Sequence, residues 1–322
     1  MTDDTIGKGR ILLALTGWDP EVWIDELGKA APDRAVTLEP DGEADPSIHY
    51  AVVWKQRPGL LSKLPNLKAI FSLGAGVDHV FADTSLPDVP IVRVVSANLT
   101  TRMSEYVVWQ VLDHHRLGPR YRAQQAGRIW HEDRDQKAAS DISVGIMGLG
   151  ELGRDAAAKV RVMGFTVSGW SRTQKQVEGV TCHAGEDGLG SFLASADIFV
   201  VLLPLTPETR EILNRDLFVR MTKRGPLGAP VLINAGRGGL QNEADILSAL
   251  DEGLLSAVTL DVFQQEPLDA ESPFWTHPKV TLTPHAAAAS MPHSLIAPMA
   301  RQMDAYERGE ALVNLVDRKA GY

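Results

Sequence analysis

The sequence predicts an α/β protein of two domains, one of which is inserted into the other. Short runs rich in β-branched residues alternate with helical patterns along the whole chain, as in proteins whose parallel sheets are covered by helices. The 322 residues exceed one ordinary domain and suffice for two. A glycine-rich turn that follows a strand lies near the middle of the chain, with enough sequence in front of it for a separate domain.

The first series of elements starts with an apolar run at 11–15, which we predict to be a strand. Asp19 and Pro20 follow, and they predict a helix cap with proline in the first turn. Further strands are predicted at 35–38, 50–54, 69–73 and 91–94. We expect these strands to form a small flavodoxin-like domain.

A helix predicted from about 101 to 114 leads into the second series, and the polar stretch 131–140 is predicted to be an exposed loop. The second series has strands predicted at 143–147, 166–169, 198–202, 231–234, 256–261 and 280–282, and a last amphipathic helix at 292–308. We therefore expect residues 103–291 to form an inserted Rossmann-like domain. Residues 1–102 and 292–322 would form the surrounding flavodoxin-like domain.

Composition limits the possible partners. The chain is 44% hydrophobic and 23% charged with a formal net charge of −9, and it lacks the Lys/Arg run expected of a nucleic-acid binder. Its apolar runs are shorter than the ~20 residues of a membrane helix. The acidic start Met1–Asp4 does not resemble a signal peptide, and the single cysteine, Cys182, allows neither an internal disulfide nor a thiolate metal site. We expect a cytoplasmic protein with no nucleic-acid, membrane or metal partner.

The central turn, 148–153, matches the pattern G-x-G-x-x-G directly after an apolar strand and at the start of a helical pattern. Gly148 would allow the tight turn, Gly150 would let a pyrophosphate approach the backbone, and Gly153 would let helix and strand pack closely. We expect this turn to bind a dinucleotide through Gly148, Leu149, Gly150, Glu151 and Leu152. The alternative is a plain strand-to-helix connection.

The end of the following strand decides between NAD and NADP. An NAD site places an acid there to bind the ribose hydroxyls, but residues 169–175 contain none. Ser171, Arg172 and Thr173 offer hydrogen-bond donors instead, and Arg172 adds a charge that suits a 2′-phosphate. We therefore expect NADP(H) to be preferred, with NAD(H) possible. The alternative is that Arg172 is an ordinary surface arginine.

Three polar segments, 234–238, 261–267 and 283–287, each follow a predicted strand. In an open α/β sheet the ligand cleft lies beyond the carboxyl ends of the strands, so Arg237, Glu266 and His285 are expected to face one cleft. A guanidinium can bind and polarise the oxygens of a 2-oxo acid. His285 suits a proton donor near neutral pH, and Glu266 would favour its charged form. Taken singly, each is more often a surface or hydrogen-bonded residue.

The sequence resembles the D-2-hydroxyacid dehydrogenase family over nearly its whole length. The matching segments are 74–78, 148–153, 203–209, 234–238, 261–267 and 273–285. Within the family the chain is most similar to the glyoxylate/hydroxypyruvate reductase A group, through the segment 170–172 and the ending 316–322. The resemblance implies NADPH-dependent reduction of a small 2-oxo acid, such as glyoxylate or hydroxypyruvate, to the 2-hydroxy acid. It also implies a homodimer formed through outer helices of the inserted domain.

The resemblance further implies particular roles. Arg237 would bind the substrate, His285 would be the acid/base and Glu266 its partner. In the substrate-binding domain, which is the surrounding one, the amides of Ala75 and Gly76 would hold the substrate carboxylate and Trp54 would line the pocket. Further cofactor contacts are implied at Met103, Leu203, Pro204, Thr209, Ala235, Gly236, Arg237, Asp261 and His285, with Asp261 facing the nicotinamide carboxamide. Without the resemblance, Ala75 and Gly76 would form a plain turn, and Trp54 and Met103 would be core residues.

Three other functions stay open. One is reduction of a bulkier aryl or branched 2-oxo acid, which pocket shape decides. Another is a nucleotide-sensing protein like the corepressors of this fold, although the chain has almost none of the expected partner-binding extensions. A formate dehydrogenase-like enzyme is disfavoured by the local sequence Thr283-Pro284-His285. The acid that many family members carry at position 171 is serine here. Because the sequence ends soon after its last predicted helix, we expect no added regulatory domain.

Overall fold

The computed structural model describes residues 8–39, 44–221 and 225–322, so Met1–Asp4 lie outside the described residues. The described residues form two compact units. The first contains the residues up to Leu99 together with Ser290–Tyr322, and the second contains Thr100–Ala289. The second unit is therefore inserted into the first in sequence. The domain limits at 102/103 and 291/292 stay predictions.

The first unit is built on a parallel sheet. Its strands are β1 Arg10–Leu15, β2 Val36–Leu38, β3 Ile48–Trp54, β4 Ala69–Ser72 and β5 Ile91–Val92, in the order β2-β1-β3-β4-β5. Its helices are α1 Glu21–Ala30, the short α2 Asp78–Phe81 and α9 Pro292–Glu307, and α1 packs against α9. Because helices cover parallel sheets, β1 is apolar from Ile11 to Leu15 rather than alternating.

The start of α1 differs by one position from the prediction. Pro20 occupies the N-cap position instead of the first turn, and the helix begins at Glu21. The Asp19 carboxylate still accepts a hydrogen bond from the Glu21 N–H at 3.0 Å. The aspartate thus caps the helix from one residue further out than the usual N-cap.

The second unit contains a larger parallel sheet. Its strands are β6 Ser143–Met147, β7 Thr166–Ser171, β8 Thr181–Ala184, β9 Ile198–Val201, β10 Val231–Asn234, β11 Ala257–Leu260 and β12 Val280–Leu282. Their order is β12-β11-β10-β9-β6-β7-β8, so the strand order reverses beside β6. Ligands of doubly wound sheets bind at such a switch point. The helices are α3 Ala97–His115, α4 Gly118–Ala126, α5 Glu151–Val162, α6 Gly185–Leu193, α7 Arg215–Arg220 and α8 Glu243–Asp251.

A buried ion cluster stabilises the first unit at its C-terminal helix. The Arg34 side chain is fully buried and pairs with Asp304 at 2.9 Å and Glu307 at 2.7 Å. It also donates to the Gly9 carbonyl, and the Tyr50 hydroxyl lies 3.3 Å from Glu307. The cluster therefore joins α9 to the sheet and to the chain just before β1.

Within the three described ranges, no helix is both long enough and apolar enough to cross a bilayer.

Candidate active site

The glycine-rich turn lies between β6 and α5. Gly148 has φ +106°, and a Cβ on it would lie 2.7 Å from the Leu202 carbonyl oxygen. A Cβ on Gly153 would lie 1.7 Å from the Gly148 oxygen, so any side chain there would separate helix from strand. A Cβ on Gly150 would have no heavy atom of the described residues within 4 Å. The turn thus combines a close contact between helix and strand with open space at Gly150, and this fits an approaching pyrophosphate.

The end of β7 and the residue that follows it differ in exposure, because Ser171 closes the strand and Arg172 comes directly after it. Ser171 is 8% exposed, and its hydroxyl donates to the Thr173 carbonyl at 2.9 Å. Arg172 and Thr173 are exposed. A hydrogen bond from Thr206 holds the pKa of Glu208 below its ordinary value, and the Arg172 charge adds to this effect. Arg172 therefore lies close enough to the 203–209 loop to influence it electrostatically.

Thr209 organises the 203–209 loop. Its hydroxyl donates to the Pro204 carbonyl at 2.7 Å and accepts from the Thr206 N–H at 2.8 Å. Leu203 is 7% exposed and belongs to the core of the second unit. Met103 is likewise 7% exposed and packs in a core cluster that also contains Leu149. Cofactor contacts at these positions stay predictions.

The Arg237 loop follows β10 and is held by a buried asparagine. Asn234 accepts from the Gly236 N–H at 3.0 Å and donates to the Arg237 carbonyl at 3.2 Å. It also donates to Gln241, whose amide in turn donates to the Val262 carbonyl at 3.0 Å. Gln241 therefore connects the loop after β10 with the loop after β11, a role that the sequence did not suggest.

Glu266 and His285 are in direct contact. The distance between His285 Nδ1 and Glu266 Oε2 is 2.9 Å, and the two side chains are 37% and 25% exposed. The other carboxylate oxygen of Glu266 accepts from the Phe263 N–H at 3.2 Å. Because Nδ1 faces Glu266, Nε2 is the nitrogen that can serve a substrate. The sequence had assigned the same pair as acid/base and partner.

Asp261, which follows β11, is 1% exposed. Its carboxylate accepts from the Thr283 hydroxyl at 2.6 Å, the Ala286 N–H at 2.8 Å and the Ala287 N–H at 3.0 Å. Burial raises the pKa of Asp261, although these hydrogen bonds oppose the rise. The Tyr106 hydroxyl lies 2.7 Å from the Thr283 hydroxyl. The carboxylate is thus turned towards the segment around His285, and its contact with a nicotinamide carboxamide stays a prediction.

In the first unit, a polar chain holds the Gly74–Gly76 loop after β4. The Ser72 hydroxyl lies 3.0 Å from His79 Nε2 and accepts from the Gly74 N–H at 3.1 Å. Trp54, the last residue of β3, lies between the rings of Trp18 and His79, with centroid distances of 4.7 and 4.6 Å. Ala75 and Gly76 stay partly exposed at the tip of the loop.

Some of the predicted site residues are in direct contact. Others are related only because they follow neighbouring strands of the same sheet. Glu266 and His285 touch, and Arg237 donates to the Gly236 carbonyl at 2.9 Å on the loop of the neighbouring strand β10. Across the described ranges, no three His, Cys, Asp or Glu side chains are arranged to hold a metal ion. The glycine turn lies at the switch point of the sheet, and the Arg237 loop and the Glu266–His285 pair follow neighbouring strands, as expected of a dinucleotide-dependent dehydrogenase.

Comparison with known proteins gives the family. The pattern of the family "D-isomer specific 2-hydroxyacid dehydrogenase, NAD binding domain" matches residues 108–287. The chain is 36% identical over 311 residues to glyoxylate/hydroxypyruvate reductase A of Yersinia enterocolitica, which covers 95% of this chain and 97% of that protein. The chain belongs to the D-isomer specific 2-hydroxyacid dehydrogenase family, whose members are oxidoreductases, and this confirms the resemblance seen in the sequence.

Solved structures agree in fold over the whole chain. The NADPH-dependent glyoxylate/hydroxypyruvate reductase of Sinorhizobium meliloti, solved with NADP and sulfate, is 47% identical with a TM-score of 0.92, covering 98% of this chain and 100% of that one. A D-isomer specific 2-hydroxyacid dehydrogenase of Xanthobacter autotrophicus, solved with NADPH and MES, is 36% identical with a TM-score of 0.91 and the same coverage. The predicted fold class is therefore confirmed.

Proposed function

We propose that the protein reduces a small 2-oxo acid, such as glyoxylate or hydroxypyruvate, to the 2-hydroxy acid with NADPH. The observation that carries the proposal is the 2.9 Å contact between His285 and Glu266, on segments that follow β11 and β12 in the sheet that contains the glycine turn. Similarity to NADPH-dependent glyoxylate/hydroxypyruvate reductases supports the choice of substrate and cofactor.

NADPH, when bound, supplies the hydride. Gly148, Leu149, Gly150, Glu151 and Leu152 would hold its pyrophosphate at the start of α5. Arg172, with Ser171 and Thr173, would bind the 2′-phosphate as a charge-assisted donor. The remaining proposed cofactor contacts are Met103, Leu203, Pro204, Thr209, Ala235, Gly236, Arg237, Asp261 and His285.

His285 carries the proton. As hydride reaches the carbonyl carbon of the substrate, the carbonyl oxygen gains negative charge and takes a proton from Nε2 of His285. Nδ1 donates to Glu266 at the same time, which fixes the ring and favours the charged imidazolium. Reduction therefore consumes one hydride and one proton. The reverse reaction needs His285 neutral.

Arg237 is the residue proposed to bind and polarise the substrate. Its guanidinium would bind the carboxylate or the ketone oxygen of the substrate with charge-assisted hydrogen bonds. In the first unit, the partly exposed amides of Ala75 and Gly76 are the proposed ligands of the substrate carboxylate, and Trp54 is the proposed pocket residue.

The decisive experiment is a steady-state screen of 2-oxo acids with NADPH and with NADH, run on wild type and on His285→Ala. We expect the highest kcat/KM with glyoxylate or hydroxypyruvate and NADPH, and a kcat lower by about 10²–10⁴ in the variant. A preference for phenylpyruvate or a branched 2-oxo acid would show that the substrate belongs to the bulkier class instead. A wild type that binds NADPH yet reduces none of these acids would overturn the proposed reaction and favour a nucleotide-sensing protein.

We also propose that the protein is a homodimer formed through the second unit. Trp109 and Ile129 are 55% and 60% exposed, and Trp130 is fully exposed, although such side chains usually avoid water. All three lie on α3 or on the segment after α4. We expect sedimentation of the wild type to give a dimer and Trp130→Glu to shift it towards monomer. A wild-type monomer at micromolar concentration would refute the dimer.

A cytoplasmic location stays a prediction from the sequence, which contains a single cysteine.

A further inference from the structure

A chain of polar groups reaches from helix α3 to the segment that carries His285. Tyr106 on α3 is 6% exposed, and its hydroxyl lies 2.7 Å from that of Thr283, which directly follows β12. Thr283 in turn donates to Asp261 at 2.6 Å. We call these three residues the Tyr106 relay. No sequence pattern associates Tyr106 with Thr283, which lies 177 residues further along the chain.

The direction of the relay follows from its acceptor. An ionised carboxylate can only accept hydrogen bonds, so the Thr283 proton points to Asp261. The Thr283 oxygen is then left to accept the proton of the Tyr106 hydroxyl. Burial raises the pKa of Tyr106, so the phenol keeps that proton. A buried hydroxyl without a partner is costly, and Thr283 supplies the partner that makes tyrosine acceptable at this core position.

The other end of the relay holds the backbone around His285. His285 has φ +53°, in the left-handed region that is strained for a residue with a side chain. Its N–H donates to the Asp261 carbonyl at 2.8 Å, and the next two N–H groups donate to the Asp261 carboxylate. Asp261 therefore holds the strained residue from both sides. This backbone conformation directs the imidazole to Glu266.

We propose that Tyr106 and Thr283 are positioning residues of the proposed reduction. Their hydroxyls hold the Asp261 carboxylate in the orientation in which it fixes His285. The inference rests on the proposed function, because it takes His285 as the proton donor. Tyr106 acts only through Thr283, and neither residue needs to touch the substrate.

The test uses Tyr106→Phe and Thr283→Val, which remove one hydroxyl each and keep the shape of the side chain. Loss of a neutral hydrogen bond should lower kcat about 3- to 10-fold in Tyr106→Phe, and loss of the bond to the charged Asp261 should lower it about 10- to 50-fold in Thr283→Val. The KM for NADPH should change by a smaller factor than kcat, because the proposed phosphate ligands at the glycine turn and at Arg172 are untouched and only the proposed Asp261 contact is loosened. The double variant should be no slower than Thr283→Val, since Tyr106 works through that hydroxyl.

Matched variants separate positioning from general damage. Thr283→Ser restores the hydroxyl and should recover most of kcat, whereas Tyr121→Phe, on the exposed helix α4, should behave as wild type. Hydrogen exchange of the amides of 286 and 287 should be faster in both relay variants, and this readout does not depend on activity. A wild type inactive with every 2-oxo acid would remove the proposed function, whereas unchanged exchange would remove the relay. With an active wild type, unchanged kcat in Thr283→Val or additive losses in the double variant overturn the positioning role.

Discussion

Replacing Glu266 by glutamine tests the Glu–His pair at the centre of the proposed mechanism. The substitution keeps size and hydrogen-bonding capacity but removes the negative charge beside His285. Reduction requires a protonated imidazole, and the carboxylate favours that form. We therefore expect Glu266→Gln to lose reductase activity at a lower pH than the wild type does. Oxidation of the 2-hydroxy acid requires the neutral ring, so its rate should begin to rise at a lower pH.

The size of the effect follows from the geometry of the pair. Two unit charges about 4 Å apart attract by about 4 kcal/mol at an effective dielectric constant of ~20 and by about 1 kcal/mol in water. His285 and Glu266 keep 37% and 25% of their side-chain exposure, so solvent screens part of this attraction. We take about 1–2 kcal/mol, which corresponds to a kcat/KM for reduction about 5- to 30-fold lower in Glu266→Gln.

The assay measures kcat/KM for the 2-oxo acid and for the 2-hydroxy acid across pH, with wild type and variant side by side. Glu271→Gln, an exposed position shortly after Glu266, is the matched control and should reproduce the wild-type profile. Equal midpoints for wild type and Glu266→Gln would refute the coupling, even if both residues prove essential for turnover.

Three further variants test cofactor binding and stability. Arg172→Ala should weaken NADPH by on the order of 1–3 kcal/mol and leave NADH unchanged; an unaltered KM for NADPH would exclude Arg172 as the 2′-phosphate ligand. Gly153→Ala places a Cβ 1.7 Å from the Gly148 oxygen, so fluorescence titration should show NADPH binding weakened by about tenfold or more. Hydrogen bonding and charge from Arg34 hold the pKa of Glu307 below its ordinary value against the opposing effect of burial, so its contribution to stability is present near neutral pH and disappears as pH falls through the folded-state pKa. Urea unfolding should therefore show Glu307→Gln less stable at pH 7, with the gap closing as pH falls below the ordinary pKa range of glutamate. A gap independent of pH would contradict the ionic account.

The central strands could be predicted from sequence because they are buried on both faces. Ile198–Val201 is buried throughout and appears as an uninterrupted apolar run. The edge strand β8, Thr181–Ala184, was missed because its residues are exposed or only partly buried, and it shows no such run. Helix α4 was missed for a related reason. Every residue of α4 is at least partly exposed, so the helix lacks the apolar stripe that reveals a helical period.

For the site, the sequence placed chemistry at strand ends but not the groups that hold it. The position of Arg237, Glu266 and His285 follows from a general rule about parallel sheets, which needs only the strand assignments. Tyr106, Gln241 and His79 act through hydrogen bonds to residues of other elements. Such contacts depend on which side chains meet after folding, and no local pattern encodes them. Met103 packs in a core cluster, and its predicted cofactor contact stays a prediction.

Two neighbouring strands of the second unit end in the same way. β10 ends in Asn234, fully buried, and β11 is followed by Asp261, 1% exposed. Each turns a side-chain oxygen back to accept backbone N–H groups, from Gly236 in one case and from Ala286 and Ala287 in the other. A loop held by a buried side chain has its backbone polar groups paired, so it presents its other side chains from a fixed backbone. Arg237 and His285 are the residues presented in this way. The Asn234 side chain carries no charge, so it holds its loop without burying a charge. The carboxylate of Asp261 is buried, and it requires additional hydrogen-bond donors. The Thr283 hydroxyl is one of those donors. This explains why the series of hydrogen bonds that reaches Tyr106 starts from Asp261 and not from Asn234.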